Sequence, residues 1–113
     1  MALKSVVMEF GTGTDLRGAD YTRAAVRALD NALRRNSLLA ADALGKPRDS
    51  MRVRVVVGVA RPELVDTAAV AAVLPYGSAE VSVEAGGLDI PSEDGQSVTV
   101  MANAVATVFL DLP

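Results

Sequence analysis

The chain has 113 residues, no histidine, no cysteine, no tryptophan and a formal net charge of −3. Those absences exclude disulfides, thiolate nucleophiles, zinc–thiolate sites and Ser–His chemistry, and leave only oxygen ligands for a hard cation. A small negative charge offers no long-range attraction to nucleic acid or to an anionic membrane.

The length fits one domain over residues 1–113. Half of the residues are hydrophobic, and most of these are Ala, Val and Leu. A core of such small side chains needs many residues to fill it. A lone globule of this size is therefore expected to leave apolar surface exposed, which is the mark of an interface, and the chain is expected to form a homo-oligomer. No run approaches the ~18 apolar residues of a membrane span, and the apolar start before Glu9 is too short for a signal peptide. The cytoplasm is the expected location.

Leu3 to Phe10 reads as a first strand, with β-branched Val6 and Val7, running into a glycine-rich turn from Gly11 to Gly18. Asp20 is a good N-cap for a helix reaching about Asn36. Ala25, Val26, Ala28, Leu29, Ala32 and Leu33 form its buried side. Arg23, Arg27, Asp30 and Arg34 form a solvated stripe joined by Arg27/Asp30 and Asp30/Arg34 pairs. Arg35 adds to the positive charge of this helix, but Asp30 is interleaved and no aromatic platform accompanies it, so nucleic acid is not an expected partner.

Ser37 to Leu44 suggests a short helical turn, followed by a loop over Gly45 to Ser50. Met51 to Ala60 is the clearest strand. Arg52 and Arg54 alternate with Val53 and Val55, so that end is half exposed. Val56, Val57, Gly58 and Val59 continue without a polar residue, the pattern of burial on both faces. Asp66 or Thr67 caps a second helix ending near Leu74 and Pro75. Ser78 to Ala85 alternates, with Glu80 and Glu84 on a wet face. Gly86 to Gln96 reads as a polar loop. Ser97 to Leu112 is β-prone, with a break expected at Ala102-Asn103-Ala104. The order β-α-β-α-β-β makes an α/β two-layer sandwich.

The turn after the first strand is the one stretch that looks chemical. Glycines there would let backbone N–H groups converge at a helix start, where the dipole favours an anion. A tight turn without a ligand is the plainer alternative. Two phosphate motifs fail: a dinucleotide fingerprint needs glycine at Leu16, and a Walker loop needs lysine and a hydroxyl residue at Ala19 and Asp20. Lys4 and Lys46, the two lysines, are expected on the surface. The carboxylates are not spaced as a ligand set, so neither a metal nor another cofactor is expected.

Gly11, Gly13, Asp15 and Gly18 resemble the Gly-x-Gly-x-Asp-x-His-Gly mark of an uncharacterised family of small bacterial and plant proteins, with Arg17 in place of its histidine. The likeness continues through Asp20 to Arg27, Gly58 to Pro62 and Asn103-Ala104. Arginine stays charged at all relevant pH, so Arg17 does not inherit a proton-transfer role. More distantly, Asp20-Tyr21-Thr22-Arg23 after a glycine-rich turn is similar to the start of one repeat of cyanuric acid hydrolase and barbiturase, the ring-opening amidohydrolases. That likeness implies a trimer or a multiple of one, with Arg23 as a substrate-binding arginine. It does not extend to the Ser–Lys pairs of those enzymes: the turn has no lysine, and residues 57–61 hold no serine.

The expected function is thus an oligomeric module binding a small polar or anionic ligand at subunit boundaries. Asp15, Arg17 and Arg23 would make the polar contacts and backbone N–H groups around Gly11 and Gly13 the rest, with Gly18 also among the ligand-binding residues. The alternatives are an enzyme acting on a cyclic amide with Asp15 as general base, and a structural ring without a ligand.

Overall fold

The computed structural model describes residues 2–34 and 37–113. Strand β1 spans Ala2–Asp15, so it runs straight through Gly11 and Gly13 instead of ending at Phe10. The expected turn shrinks to residues 16–20. Helix α1 (Tyr21–Leu33) folds back over the strand, and the reason for the glycines is this close approach. A Cβ on Gly11 would press on the Ala28 carbonyl oxygen and stand 2.5 Å from the Ala32 nitrogen. One on Gly13 would press on the Ala28 nitrogen and the Ala24 carbonyl, and stand 2.7 Å from the Arg27 carbonyl carbon. Real Cβ atoms essentially never come within 3.0 Å. The buried alanines of α1 (Ala24, Ala28 and Ala32) therefore rest directly on strand backbone. Arg35 and the expected helix end at Asn36 lie outside the described residues.

A single turn of helix, α2 (Ala40–Ala43), precedes β2 (Arg52–Val59). Asp66 caps α3 (Thr67–Ala71), its Oδ1 accepting from the N–H groups of Ala68 (3.0 Å) and Ala69 (3.3 Å). This helix is shorter than expected. Its last turn tightens to i→i+3 bonds at Val73 and Leu74, because a residue before proline is held out of the α region and Pro75 follows. Strand β3 (Ser78–Ala85) pairs parallel to β2.

The loop read over Gly86 to Gln96 contains a further strand, β4 (Leu88–Pro91). It lies beyond the end of β2 along the same edge of β5 (Val98–Leu112). Strand β5 runs unbroken through Ala102-Asn103-Ala104 and pairs antiparallel to β1, β2 and β4. The bulge lies in β1 instead, where the register shifts between Ser5 and Val7. Sheet order is β1-β5-β2-β3, with β4 on β5.

The result is a two-layer α/β sandwich. The helices cover one face of the sheet, where Val53, Val55, Val57, Val100 and Val108 are buried under α1 and Val70 of α3. Among the described residues no layer covers the other face. Extents of 56 × 22 × 18 Å describe a slab about as thick as one sheet plus one helix layer. Among the described residues no helix is long and apolar enough to cross a membrane.

Candidate functional site

Asp15 ends β1 on the helix side of the sheet, and its residue is only 3% exposed. Burying a carboxylate is costly unless it is paired, and Asp15 is paired from three directions. Its Oδ2 accepts from the Asp20 N–H (3.0 Å). Its Oδ1 stands 3.7 Å from a guanidinium nitrogen of Arg23 and 3.7 Å from one of Arg27. Arg27 also donates to the Thr14 carbonyl (2.7 Å), so the Arg27/Asp30 pair expected along the helix gives way to a bond with the strand. The Asp30/Arg34 pair forms, at 3.0 Å.

Asp20 is the N-cap of α1, with Oδ1 accepting from the Arg23 N–H (2.9 Å), and its Oδ2 lies 3.9 Å from Arg23 Nε. Separations of 3.7 and 3.9 Å are too long for hydrogen bonds. Among the described residues the Arg23 guanidinium therefore makes ion pairs without donating to an acceptor, and its side chain is 59% exposed. Two carboxylates already occupy the helix start, so charge near it is balanced between Asp15, Asp20, Arg23 and Arg27.

The connection from β1 to α1 is strained. Arg17 (φ +70°) and Ala19 (φ +49°) both sit in the left-handed region, which side chains other than glycine rarely adopt. The Gly18 N–H donates to the Leu16 carbonyl (2.9 Å), closing a three-residue turn around Arg17. Gly18 is needed for space: a Cβ there would stand 2.5 Å from Asp15 Oδ2. Arg17 is exposed and lines an open groove with Glu93, Asp94 and Gln96 of the β4–β5 connection.

Of the six residues expected at a site, the structure gathers Asp15, Gly18 and Arg23, and puts Arg17 on the adjoining loop. Gly11 and Gly13 go elsewhere. The Thr12 N–H points off the sheet edge to Asn31 Oδ1 (3.1 Å). Strand alternation then turns the N–H groups of Gly11 and Gly13 towards β5, where they form no anion cradle. Their role is to receive α1.

Two groups at this end were not anticipated. Arg27 could have been found from its four-residue spacing to Arg23, which puts both on one helix face. Asp89 had no local signal. From β4 it accepts a hydrogen bond from the hydroxyl of Tyr21, whose ring is buried at the start of α1. That hydrogen bond first, and burial second, hold the Tyr21 phenol above its ordinary pKa of 10.0. Thr22 Oγ1 accepts from the Asp66 N–H (2.9 Å), tying α1 to the cap of α3. Among the described residues no group of three or more carboxylates is placed to hold a metal ion.

The chain is similar over its whole length to an FtsZ-like protein of unknown function from Nostoc punctiforme, whose crystal structure superimposes with a TM-score of 0.85. The two are 32% identical, and the match covers 99% of each chain. No curated protein matches. Residues 5–108 match the family described as conserved hypothetical protein, Lin0512. The chain belongs to the Lin0512 family of conserved hypothetical proteins.

Proposed function

We propose that the chain is a subunit of a homo-oligomer, a trimer or a multiple of one, that binds a small polar or anionic ligand where subunits meet. Asp15, Arg17, Gly18 and Arg23 form the site, and Arg27 joins them. The observation that carries this reading is the coincidence of a buried carboxylate with a strained loop at one end of the sheet. Left-handed non-glycine residues cost on the order of 1–3 kcal/mol each. A connection whose whole task was to reverse the chain would place glycine at positions 17 and 19; this one places arginine and alanine there. Strain and buried charge kept together are features of ligand sites more than of scaffolding.

Within the site Asp15 is the fixed anchor. Arg23 offers unspent guanidinium donors, in the fork that suits a carboxylate or phosphate. The trimer follows from the likeness of Asp20 to Arg23 to a repeat of the ring-opening amidohydrolases.

The test is thermal unfolding of the wild type and Arg23→Ala, each with and without phosphate, sulfate and small carboxylates. A ligand that binds only the folded state raises its melting temperature. The expected result is an anion-dependent rise in the wild type that Arg23→Ala abolishes. No response in either protein would leave a structural ring without a ligand, and would refute the proposed site.

A further inference from the structure

The uncovered face of the sheet presents a more specific problem, and we infer that it is the surface through which copies of this chain associate. This rests on the homo-oligomeric reading above and assigns it a two-fold surface, which joins copies in pairs and, between trimers, makes a hexamer.

Three observations converge. The run from Val56 to Val59 has the pattern of a strand buried on both sides, and β2 and β3 are parallel, a pairing normally covered on both faces. In the single chain Val55, Val57 and Val59 are buried while Val56 stays only partly so. Val56 and Gly58, which the sequence prepares for burial, are thus left only partly covered.

Next, register places Phe10, Val105 and Val56 side by side on this face, with Met8 one row away and Leu88 and Ile90 at the far end. Phe10 and Met8 are each 57% exposed and Leu88 is 58% exposed. From strand spacings, the face offers about 700 Å² per copy, close to the ~800 Å² per partner of a stable interface.

Charge then identifies the occupant. Arg52 and Arg54 stand on β2, and Glu80 and Glu84 on the neighbouring β3, all on this face. A uniformly acidic or basic partner would be repelled by one of the two strips. A second copy of the same face carries both, and meets cation with anion when the strands are exchanged across the interface. Phe109, against whose ring the Arg54 guanidinium packs (4.8 Å), holds that cation over the apolar surface.

Sedimentation at micromolar concentration tests the assignment with the wild type, Phe10→Glu, Leu88→Glu and, on the helix layer, Arg34→Glu. The wild type and Arg34→Glu are expected to share one assembly size, and the two face variants to be half that size with unchanged circular dichroism. Face variants of the same assembly size as the wild type would overturn the surface while leaving the oligomeric reading intact. A monomeric wild type would overturn both and give the face to another occupant. Should the face variants fail to fold, peroxide oxidation of Met8 in the wild type decides. It is expected to be several-fold slower at assembling concentrations than after dilution, and equal rates would overturn the proposal.

Discussion

Replacing Gly13 by alanine tests the seating of α1 on β1 directly. The added methyl would meet the Ala28 nitrogen, the Ala24 carbonyl oxygen and the Arg27 carbonyl carbon, all of them helix backbone. No side chain can swing aside, so the 2.7 Å contact with Arg27 must open to at least the 3.4 Å of ordinary contact by moving the helix. Overpacking of this kind costs about 1–3 kcal/mol, and rigid backbone neighbours place it at the upper end. Alanine also stiffens the unfolded chain, which returns about 0.4–1 kcal/mol. The net loss is about 2 kcal/mol, and a domain of this length should melt roughly 8 °C lower. Differential scanning calorimetry of Gly13→Ala beside Thr12→Ala measures it. Thr12 is exposed on the opposite face, so its change should stay within about 0.5 kcal/mol. A Gly13→Ala protein melting within about 2 °C of the wild type would refute the close-approach account.

Three other expectations follow from the same end of the sheet. Asp15→Ala leaves the Asp20 N–H without its acceptor and two arginines without their shared carboxylate, and should cost about 1–3 kcal/mol in urea unfolding; an unchanged midpoint would count against Asp15 as anchor. In a Tyr76→Phe background Tyr21 is the sole phenol, and its phenolate absorbance should appear only above pH 10, returning towards 10 in Asp89→Asn. Because the folded value is raised, the associated stability is complete below the unfolded pKa near 10 and is lost as pH rises through the folded one. With no lysine or serine where the ring-opening amidohydrolases carry theirs, no turnover of cyanuric or barbituric acid is expected; activity that survives purification and falls in Asp15→Asn would contradict this.

The sequence made the clearest elements legible where local chemistry and tertiary role agree. Alternation located β3 at its observed ends and β2 to within one residue at either end, and Asp20 and Asp66 marked their helices by capping. It misled where small residues serve packing. Gly11 and Gly13 read as a turn, and Ala102 and Ala104 as a break. The register pairs Gly11 with Ala104 and Gly13 with Ala102. Together they floor a shallow trough into which the alanines of α1 settle, a demand created by a helix that follows in the chain and invisible in either strand alone. Strand β4 was missed because its residues sit among turn formers, and its pairing with β5 comes from a hairpin closed by Ser92 and Ser97. The partnership of Asp89 with Tyr21, 68 residues apart, had no local trace.

Alternation at the end of β1 also bears on why a site should form at a subunit boundary. Asp15 turns to the helix side, where Arg23 and Arg27 meet it, while Thr14 turns to the bare face beside Met101 and Leu88. Arg27 spans the two positions, since it holds the Thr14 carbonyl as well as standing near the Asp15 carboxylate. A copy packed over Met101 and Leu88 would press on the same backbone that fixes Asp15. Ligand and partner would then favour one another, each raising the affinity for the other by the same factor. Neither surface explains the chain well alone: the balanced charges around Asp15 make a weak anion site in open water, and the bare sheet gives no reason for strain at Arg17 and Ala19. On the proposed reading the two share one boundary, and the strain at Arg17 and Ala19 is kept for the ligand.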